Sequence, residues 1–374
     1  MKIAVLHWAT SSVGGINTTM QTLREVALKR GDTFHIFASD PQKTKRPLLL
    51  PARKRVRGGD TFITIDGYAP HHPSNWRASA RFLDDYDLVM TSYIAPHPTK
   101  AYGDEPLFLP LLEALRWKGK RLVGYIHDAY WETYKEFGEL VLPLVEKTMV
   151  CQAAYGRPLV DAGYPVTPAY VPFAPLTADP VEEVRDPNLA VWLPQWKNIK
   201  GIRKWWKGLP DGLASGIRVE MYGNGIEYYK MRKEDPDWSR LVGRDHFAPD
   251  YSGNGLAEFF GCVELEKVAK ILSRASFMFD FQGHAAKWGA YKNGSYNHTI
   301  LEALYYGAVP VVHENMLKSG IPGELLLPLE DPTNWADAVR NYDLGAYPRD
   351  RAREYVIDTH SAEKLYDSII RPVA

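Results

Sequence analysis

The strongest constraint on the fold is an alternation of buried-strand runs with helical runs, which stops near the middle of the chain and then starts again. Lys2 to Trp8 is an apolar run that predicts a buried parallel strand. Apolar residues then recur at helical spacing from Ile16 to Arg30, and Thr33 to Ala38 predicts a second strand. A strand, a helix and a strand in this order favour a parallel sheet with right-handed crossovers.

The alternation continues through 87–92 and 121–126, and it restarts after a linker, 173–187, that is rich in proline and acidic residues. Beyond the linker, strands are predicted at 189–193, 218–222, 277–281 and 309–312. We therefore predict an α/β protein with two Rossmann-like domains that face each other across a cleft. Ligands are expected there, at the carboxyl ends of the strands.

The predicted domain boundaries follow from this pattern. An N-terminal, acceptor-binding domain is expected over 1–175, and a C-terminal, donor-binding domain over 188–355. Residues 356–374 are expected to form a C-terminal helix that packs back on the first domain.

Charge and cysteine content narrow the function classes. Lys+Arg and Asp+Glu are equal at 45 each, so the net charge indicates no polyanionic partner. The two cysteines, Cys151 and Cys262, form no CxxC pair, which argues against a disulfide framework or a zinc cluster and fits a reducing compartment. The N-terminal apolar run is too short for a signal peptide, and no run reaches the ~20 apolar residues of a membrane span. We expect a soluble, cytoplasmic protein.

The most informative motif is GSYNHTILEALYYGAVPVV, from Gly294 to Val312. A small polar loop enters a predicted helix that carries Glu302 in its first turn. Backbone N–H groups at a helix start favour a phosphate, and Glu302 could accept hydrogen bonds from ribose hydroxyls. The motif is equally compatible with an ordinary αβ unit in which Glu302 is a surface residue that suits the helix dipole.

This motif resembles the donor-binding signature of GT-B glycosyltransferases in the retaining group that includes glycogen synthase and sucrose synthase. That signature reads roughly E-G-F-G-L-x-x-L-E-A-x-A-x-G-x-P-V-V. The matching positions are Tyr296, Leu301, Glu302, Ala303, Gly307 and Pro310 to Val312. Gly294 stands where the family has a glutamate that touches the donor sugar.

The resemblance implies a set of donor contacts. Glu302 resembles the glutamate that binds the ribose of the nucleotide-sugar donor. The other contacts expected in this motif are Tyr296, Asn297, His298 and Thr299.

A basic loop, LPQWKNIKG, runs from 193 to 201 after the first strand of the second half. Cations there can neutralise a diphosphate leaving group as the glycosidic bond breaks, although a solvated loop fits the residues too. The loop resembles the family's G-R-L-x-x-x-K-G, with Lys200 and Gly201 matching the final pair and Gln195 at the arginine position. The resemblance implies a catalytic role for Lys200 at the diphosphate, with Lys197 as a substitute for the arginine.

Two glycine turns are further candidates for the donor site. Gly14 and Gly15 lie in the first βα loop, where glycine lets backbone N–H groups approach a ligand or makes a tight turn. The pair resembles the family's glycine-rich loop beside the donor diphosphate, and it is not the GxGxxG fingerprint of a nicotinamide site. Gly223 resembles a turn that lies near the nucleotide, and a plain turn fits equally well.

His127 and Asp128 follow the predicted strand 121–126 and so belong to its carboxyl end. A lone histidine is more often structural. Many family members, however, carry His-Asp at this place, so the resemblance implies that His127 is catalytic near the donor sugar. Asp128 would be a base or an orienting partner.

We expect no tightly bound cofactor and no metal requirement. Asp85-Tyr-Asp87 mimics a DxD metal motif, but that motif normally follows a strand and here it precedes one. Fixed cations can stabilise the diphosphate in place of a metal.

These features predict a hexosyltransferase that moves a sugar from a UDP- or GDP-hexose to a hydroxyl acceptor, with retention implied by the resemblance alone. Two other classes stay open, a non-catalytic nucleotide-sugar-binding protein and a nucleotide-sugar epimerase.

The acceptor is left open by the sequence. Seven cations and no acid lie between Lys43 and Gly59, and all seven belong to the basic segment Lys43 to Arg57. This segment fits a solvated loop, contact with an anionic membrane surface, or contact with nucleic-acid phosphates. A glycan, a lipid-linked sugar and a modified DNA base are therefore all candidate acceptors, the last requiring a DNA-modifying enzyme that flips out a hydroxymethylated base.

Overall fold

A computed structural model of the chain divides into two compact units, residues 1–172 with 360–374 and residues 173–359. The structure describes residues 1–7, 15–38, 53–57, 62–66, 81, 83–91, 109–126, 141–164, 166–175, 184–194, 201–223, 226–235, 237–245, 248–252, 256–263, 265–282, 294 and 296–370. The domain boundaries at 175, 188 and 356, which were drawn from the sequence, stay predictions.

Within the described residues, the first unit contains an eight-stranded sheet with the order β3-β4-β2-β1-β5-β6-β7-β8. Its strands are β1 (Lys2–His7), β2 (Thr33–Ala38), β3 (Arg53–Arg57), β4 (Phe62–Asp66), β5 (Leu88–Thr91), β6 (Arg121–Ile126), β7 (Lys147–Val150) and β8 (Thr167–Pro168). All pair in parallel except β3, which is antiparallel to β4. The helices of this part are α1 (Gly15–Lys29), α2 (Leu109–Trp117) and α3 (Ala153–Asp161).

The second unit repeats the plan, with an eight-stranded order β12-β11-β13-β10-β9-β14-β15-β16 among its described residues. Its strands are β9 (Asp186–Trp192), β10 (Arg218–Tyr222), β11 (Val242–Asp245), β12 (Ala248–Ser252), β13 (Ala257–Gly261), β14 (Ala275–Asp280), β15 (Val309–His313) and β16 (Leu327–Leu329). Only β12 pairs antiparallel. The predicted α/β class with two parallel sheets is confirmed.

The helices of the second unit alternate with these strands, and one last helix returns to the first unit. They are α4 (Ile202–Lys207), α5 (Leu209–Ala214), α6 (Ile226–Glu234), α7 (Trp238–Leu241), α8 (Leu265–Arg274), α9 (His298–Tyr306), α10 (Trp335–Arg340) and α11 (Arg349–Thr359), followed by α12 (Ala362–Ile370). Helix α12 packs against α1, where the Tyr366 hydroxyl donates to Asp32 over 2.8 Å and Asp367 pairs with Arg30. The return of the C-terminal helix is thus as predicted.

The order of the strands fixes where each sheet can bind a ligand. In the first unit the chain places β2 on one side of β1 and β5 on the other, and in the second unit it places β10 and β14 on opposite sides of β9. At such a switch point the loops leaving two neighbouring strands diverge and leave a crevice beyond their carboxyl ends. The loop that holds Gly14 follows β1, and the loop that holds Lys200 follows β9.

Residues 53–57 differ from the solvated-loop interpretation of the basic segment. They form β3, the edge strand of the first sheet, with Arg53 opposite Asp66 and Arg57 opposite Phe62. Because β3 runs against β4, its first residue, Arg53, lies toward the edge at which the parallel strands end.

In the described residues no helix is both long and apolar enough to cross a membrane.

The core of the second unit is built around Trp335, which is fully buried. Its indole N–H donates to the Trp205 carbonyl over 3.0 Å, and its ring meets Phe279 edge-on at 4.8 Å between centroids. Two glycines make room for this indole. A Cβ on Gly212 would lie 2.1 Å from its ring, and one on Gly208 would lie 2.3 Å from the Thr333 carbonyl oxygen. Gly208, just before α5, and Gly212, within it, are therefore required by the packing of Trp335 and Thr333.

Gly212→Ala tests this packing. We expect the substitution to lower the free energy of unfolding by about 3 kcal/mol, because overfilling a close-packed core forces side chains off their rotamers. The matched control is Gly156→Ala in helix α3, where a Cβ would meet Val150 at an ordinary 3.4 Å. The control should be neutral or slightly stabilising, and equal urea midpoints for the two variants would contradict the account.

Candidate functional site

The candidate site lies at the carboxyl edge of the second sheet, where the neighbouring strands β9 and β14 end. Gly201 ends the loop after β9 in the left-handed region, with φ 73°. A Cβ there would lie 2.7 Å from the Cβ of Phe281, the residue that follows β14. Since only glycine permits both the backbone conformation and this contact, Gly201 is held against the end of β14. Lys197 and Lys200 themselves lie outside the described residues.

The start of helix α9 is fixed at the same edge. Asn297 is the N-cap, in extended conformation, and its Oδ1 accepts from the Thr299 N–H over 3.0 Å. Its Nδ2 donates to Asp280 Oδ2 over 2.5 Å and reaches Gln282 Oε1 at 3.5 Å. One N–H of the helix start, predicted to be available to a phosphate, is therefore used by the cap.

Glu302 does not lie in the first turn of this helix, as the sequence analysis predicted. Because Asn297 is the cap and His298 the first helical residue, Glu302 falls in the second turn. The surface interpretation is also wrong, since Glu302 is only 8% exposed. The helix dipole falls off within the first turn, so it does little to stabilise this carboxylate.

The environment of Glu302 is unusual for a carboxylate. Among the described residues, none hydrogen-bonds to it or carries a charge that pairs with it, and burial alone raises its pKa to about 7. A buried carboxylate without a partner costs free energy, and that cost is offset when a ligand donates hydrogen bonds to it. Two neighbouring hydroxyl groups would suit its two oxygens.

Gly294 shows why the family's sugar-contacting glutamate is missing. It is buried with φ 86°, and a Cβ there would lie 2.6 Å from the Ser319 nitrogen and 2.8 Å from the Asn315 oxygen. The position is thus closed to any side chain, because backbone atoms cannot move aside as a flexible side chain does. Its close packing anchors the segment that leads into α9.

Gly223 lies at the carboxyl end of β10, beside the end of β13. Its φ is 109°, and its N–H donates to the Gly261 carbonyl over 2.7 Å. The preceding Tyr222 donates its hydroxyl to the buried Glu220 over 2.5 Å, and Arg274 pairs with the same carboxylate. Burial, and then the Glu220 charge, raise the pKa of Tyr222 above its usual range, so this tyrosine is a neutral donor.

The structure brings together part of the predicted donor set. Tyr296 and His298 are buried and Thr299 is partly exposed, so residues 296–299 and Glu302 share one short stretch of α9 and its entry. Gly15 begins helix α1, next to the switch point of the first sheet. The remaining predicted residues, Gly14, His127, Asp128, Lys197 and Lys200, lie outside the described residues, so their roles stay predictions.

Three polar residues at this edge were missed by the sequence analysis. Asp280 is the last residue of β14, Gln282 lies two residues beyond it, and His313 is the last residue of β15. The His313 Nδ1 accepts from the Asn315 N–H over 3.2 Å, and burial lowers its pKa, which favours the neutral ring. A signal existed for Asp280, because it is the one acid in the apolar run FMFDF and stands at the end of a buried strand.

Within the parts of the chain that the structure describes, no three His, Cys, Asp or Glu side chains cluster as metal ligands do. Asp85 and Asp87 lie before β5, where Asp87 accepts from the Lys2 backbone N–H over 2.7 Å. Whether the protein needs a metal stays a prediction.

Comparison with known proteins identifies the architecture. No family model matches the chain, and no curated protein matches it in sequence. An alpha-glucosyltransferase in complex with UDP and a 13-mer DNA containing a central A:G mismatch matches with a TM-score of 0.70 and 13% identity, over 99% of this chain and 100% of that one. The fold is the GT-B fold of glycosyltransferases.

Two other solved structures support the same fold. AviGT4, a glycosyltransferase involved in Avilamycin A biosynthesis, matches with a TM-score of 0.60 and 15% identity over 99% of this chain and 96% of that one. The pneumococcal O-GlcNAc transferase GtfA, in complex with UDP and GlcNAc, matches with a TM-score of 0.64 and 11% identity over 98% and 97%. At such identities the likeness concerns the fold.

The buried Glu302 carboxylate predicts a distinctive pH dependence of stability. Its pKa is raised on folding, so its favourable contribution is complete below the unfolded-state value of 4.5 and is lost as the pH rises through about 7. The shift corresponds to roughly 3 kcal/mol. Glu302→Gln should therefore gain stability relative to the wild type between pH 5 and pH 8.5, by up to about that amount.

Urea unfolding at a series of pH values measures this difference. The matched control is Glu354→Gln, which changes an exposed glutamate of helix α11 and should follow the wild type at every pH. A Glu302→Gln curve that runs parallel to the wild type over this range would show that the carboxylate is not destabilised by burial.

Proposed function

We propose that the protein is a glycosyltransferase that takes a sugar from a UDP-linked donor and transfers it to a hydroxyl group. The observation that carries the proposal is Glu302, a buried carboxylate without a described partner in the helix that starts at the switch point of the second sheet. The ribose of a nucleotide has two adjacent hydroxyl groups, which can donate the hydrogen bonds that this carboxylate does not receive from the described residues. The solved structures of this fold that carry UDP or UDP with a sugar support the choice of nucleotide.

The donor diphosphate is assigned to the loops at the same edge. Gly201 packs against Phe281, the residue that follows β14, and Lys197 and Lys200 shortly precede Gly201 in the sequence. Two lysine charges there would balance the charge that develops on the leaving diphosphate, which removes the need for a metal. On this proposal Gly14, Gly15 and Gly223 supply close backbone contacts to the donor.

We place the chemistry of transfer in the first unit, on the residues that the family resemblance indicates. His127 and Asp128 follow β6 in the sequence, and β6 ends at the same edge of the sheet as β1 and β5. His127 would contact the donor sugar, and Asp128 would take or orient the acceptor proton. Membership of the retaining group, and with it retention of configuration, belongs to the proposal and rests on the Glu302 motif.

Binding of UDP tests the donor site directly. Wild-type protein titrated with UDP by calorimetry at pH 8 should bind, and Glu302→Gln should weaken binding by 10- to 100-fold, because an amide replaces two charge-assisted hydrogen bonds. Glu354→Gln should bind like the wild type. Equal affinity of the wild type and Glu302→Gln would remove Glu302 from the site.

Product analysis separates the enzyme classes. A glycosyltransferase releases UDP in step with the transfer of sugar to an acceptor. A binding protein releases none, and an epimerase converts the donor without any acceptor. Incubation with UDP-glucose, UDP-GlcNAc and GDP-mannose, followed by chromatography of the nucleotide products, distinguishes the three.

A DNA acceptor is the second candidate, and the edge strand β3 favours it. Its sequence is RKRVR, it carries four cations in five residues, and it is the last strand at one side of the first sheet among the described residues. Arg53, at its start, lies toward the carboxyl edge to which His127 is assigned. An alpha-glucosyltransferase of this fold was solved with DNA containing a HMU base, which supports a nucleic-acid acceptor over a membrane surface.

Salt dependence tests this acceptor. Replacement of Arg53, Lys54, Arg55 and Arg57 by Gln should reduce the slope of log Kd against log salt for a duplex 13-mer by about 3.6, if each cation meets a phosphate. The control replaces four lysines of the second unit by Gln, namely Lys207, Lys233, Lys267 and Lys270, and should keep the wild-type slope. A wild-type slope near zero would exclude DNA.

A further inference from the structure

We infer that Asp280 is a positioning residue for the donor: its carboxylate fixes the side-chain amide of Asn297 and, through it, the start of the helix that presents Glu302. The inference rests on the proposed function, because it concerns how the same UDP site is held. Asp280 makes no proposed contact with the donor itself.

Asp280 is in an unexpected place for a charged residue. It is fully buried at the end of β14, a strand whose other members are also buried, in the run ASFMFD. Its Oδ1 accepts from the Gln282 backbone N–H over 3.1 Å, and its Oδ2 accepts from Asn297 Nδ2 over 2.5 Å. An apolar residue would fill this core position at lower cost, so the carboxylate has a use other than packing.

That use follows from the chemistry of the Asn297 side chain. An amide has a donor end and an acceptor end, whereas a carboxylate only accepts. With its donor end on Asp280, Asn297 can direct only its oxygen at the Thr299 N–H, which is 3.0 Å away. The reverse orientation would place oxygen against carboxylate and N–H against N–H, so Asp280 selects the orientation that caps the helix.

The capped start of α9 determines the position of Glu302. Asn297 sets the first residue of α9, and Glu302 lies five residues later on the same rigid helix. Close packing fixes neighbouring residues as well, because Gly201 lies against Phe281, the residue after Asp280, and Gly294, three residues before Asn297, lies against Ser319. A displacement of about 1 Å at a binding group can cost 100-fold in rate, so a cap that frays would reach the donor.

Exchange of the two side chains tests the pairing. Asp280→Asn leaves two amides and Asn297→Asp leaves two carboxylates face to face, while the double variant restores one donor and one acceptor and keeps an N-cap oxygen at 297. With UDP as the probe, at pH 8 and well below the lowest melting temperature, each single variant should weaken binding about 10-fold. The double variant should return to within about threefold of the wild type.

The outcomes separate a positioning role from a structural one. If Asp280→Asn lowers the melting temperature but leaves the Kd for UDP unchanged, Asp280 serves folding alone and the inference is overturned. The inference would also be overturned if both single variants bound UDP weakly and the double variant bound it equally weakly. The lost pairing between positions 280 and 297 would then not explain the weaker binding. If Asp280→Asn does not fold, Asn297→Asp, at a partly exposed position, gives the same measurement.

The proposed function fails in a different way. If the wild type binds no UDP, the donor site itself is wrong. If the wild type binds UDP and Glu302→Gln weakens it while the Asp280 variants do not, the site stands and only the positioning role falls.

Discussion

The parallel pairing of β9 with β14 decides where chemistry can occur in the second unit. These two strands come from separate parts of the chain, and their register joins Phe277 to Ala190 and Met278 to Val191. Because the chain continues from β9 to β10 on one side and from β14 to β15 on the other, a crevice is left beyond their carboxyl ends. Residues 296–302, which the proposal assigns to the donor site, follow β14 in the chain.

At the opposite end, Arg185 holds the same strands together. Just before β9, its guanidinium donates to the carbonyls of Leu272, Ala275 and Tyr306, so it ties β14 to the last turns of α8 and α9. A cation suits the carboxyl ends of helices, and burial lowers its pKa to about 10, so it stays charged at neutral pH. Helix α9 is thus fixed at both ends, by Asn297 at its start and by Arg185 at its close.

The sequence was informative wherever a regular pattern matched a regular structure. Buried-strand runs located β1, β2, β6, β9, β14 and β15, and the helical spacing after Gly15 located α1. No strand was predicted at β3, because RKRVR has no apolar alternation, and it is the pairing with β4 that makes it a strand. Likewise, helical periodicity could not show that Glu302 faces inward, since its burial depends on elements distant in sequence.

The site was predictable only in part for the same physical reason. Glu302 and its neighbours were found through a motif, whereas Asp280 carries no motif and becomes significant only when β14 and α9 are seen to meet. Its partner Asn297 was predicted to contact the donor, yet its side chain is hydrogen-bonded to Asp280 and to the Thr299 N–H. The sequence identifies which side chains could bind a ligand, and the fold shows which of them are already hydrogen-bonded to other residues of the chain.

Gly294 is a further residue whose meaning depends on the fold. In the family pattern a glutamate stands there, and its loss suggests a weakened site. In this chain the position has a left-handed backbone and no space for a Cβ, so the glycine is required by the approach of the Asn315–Ser319 segment. The glycine at position 294 is therefore explained by packing within the second unit. On the proposed function, the missing glutamate bears on which sugar the donor carries rather than on the nucleotide end of the site around Glu302.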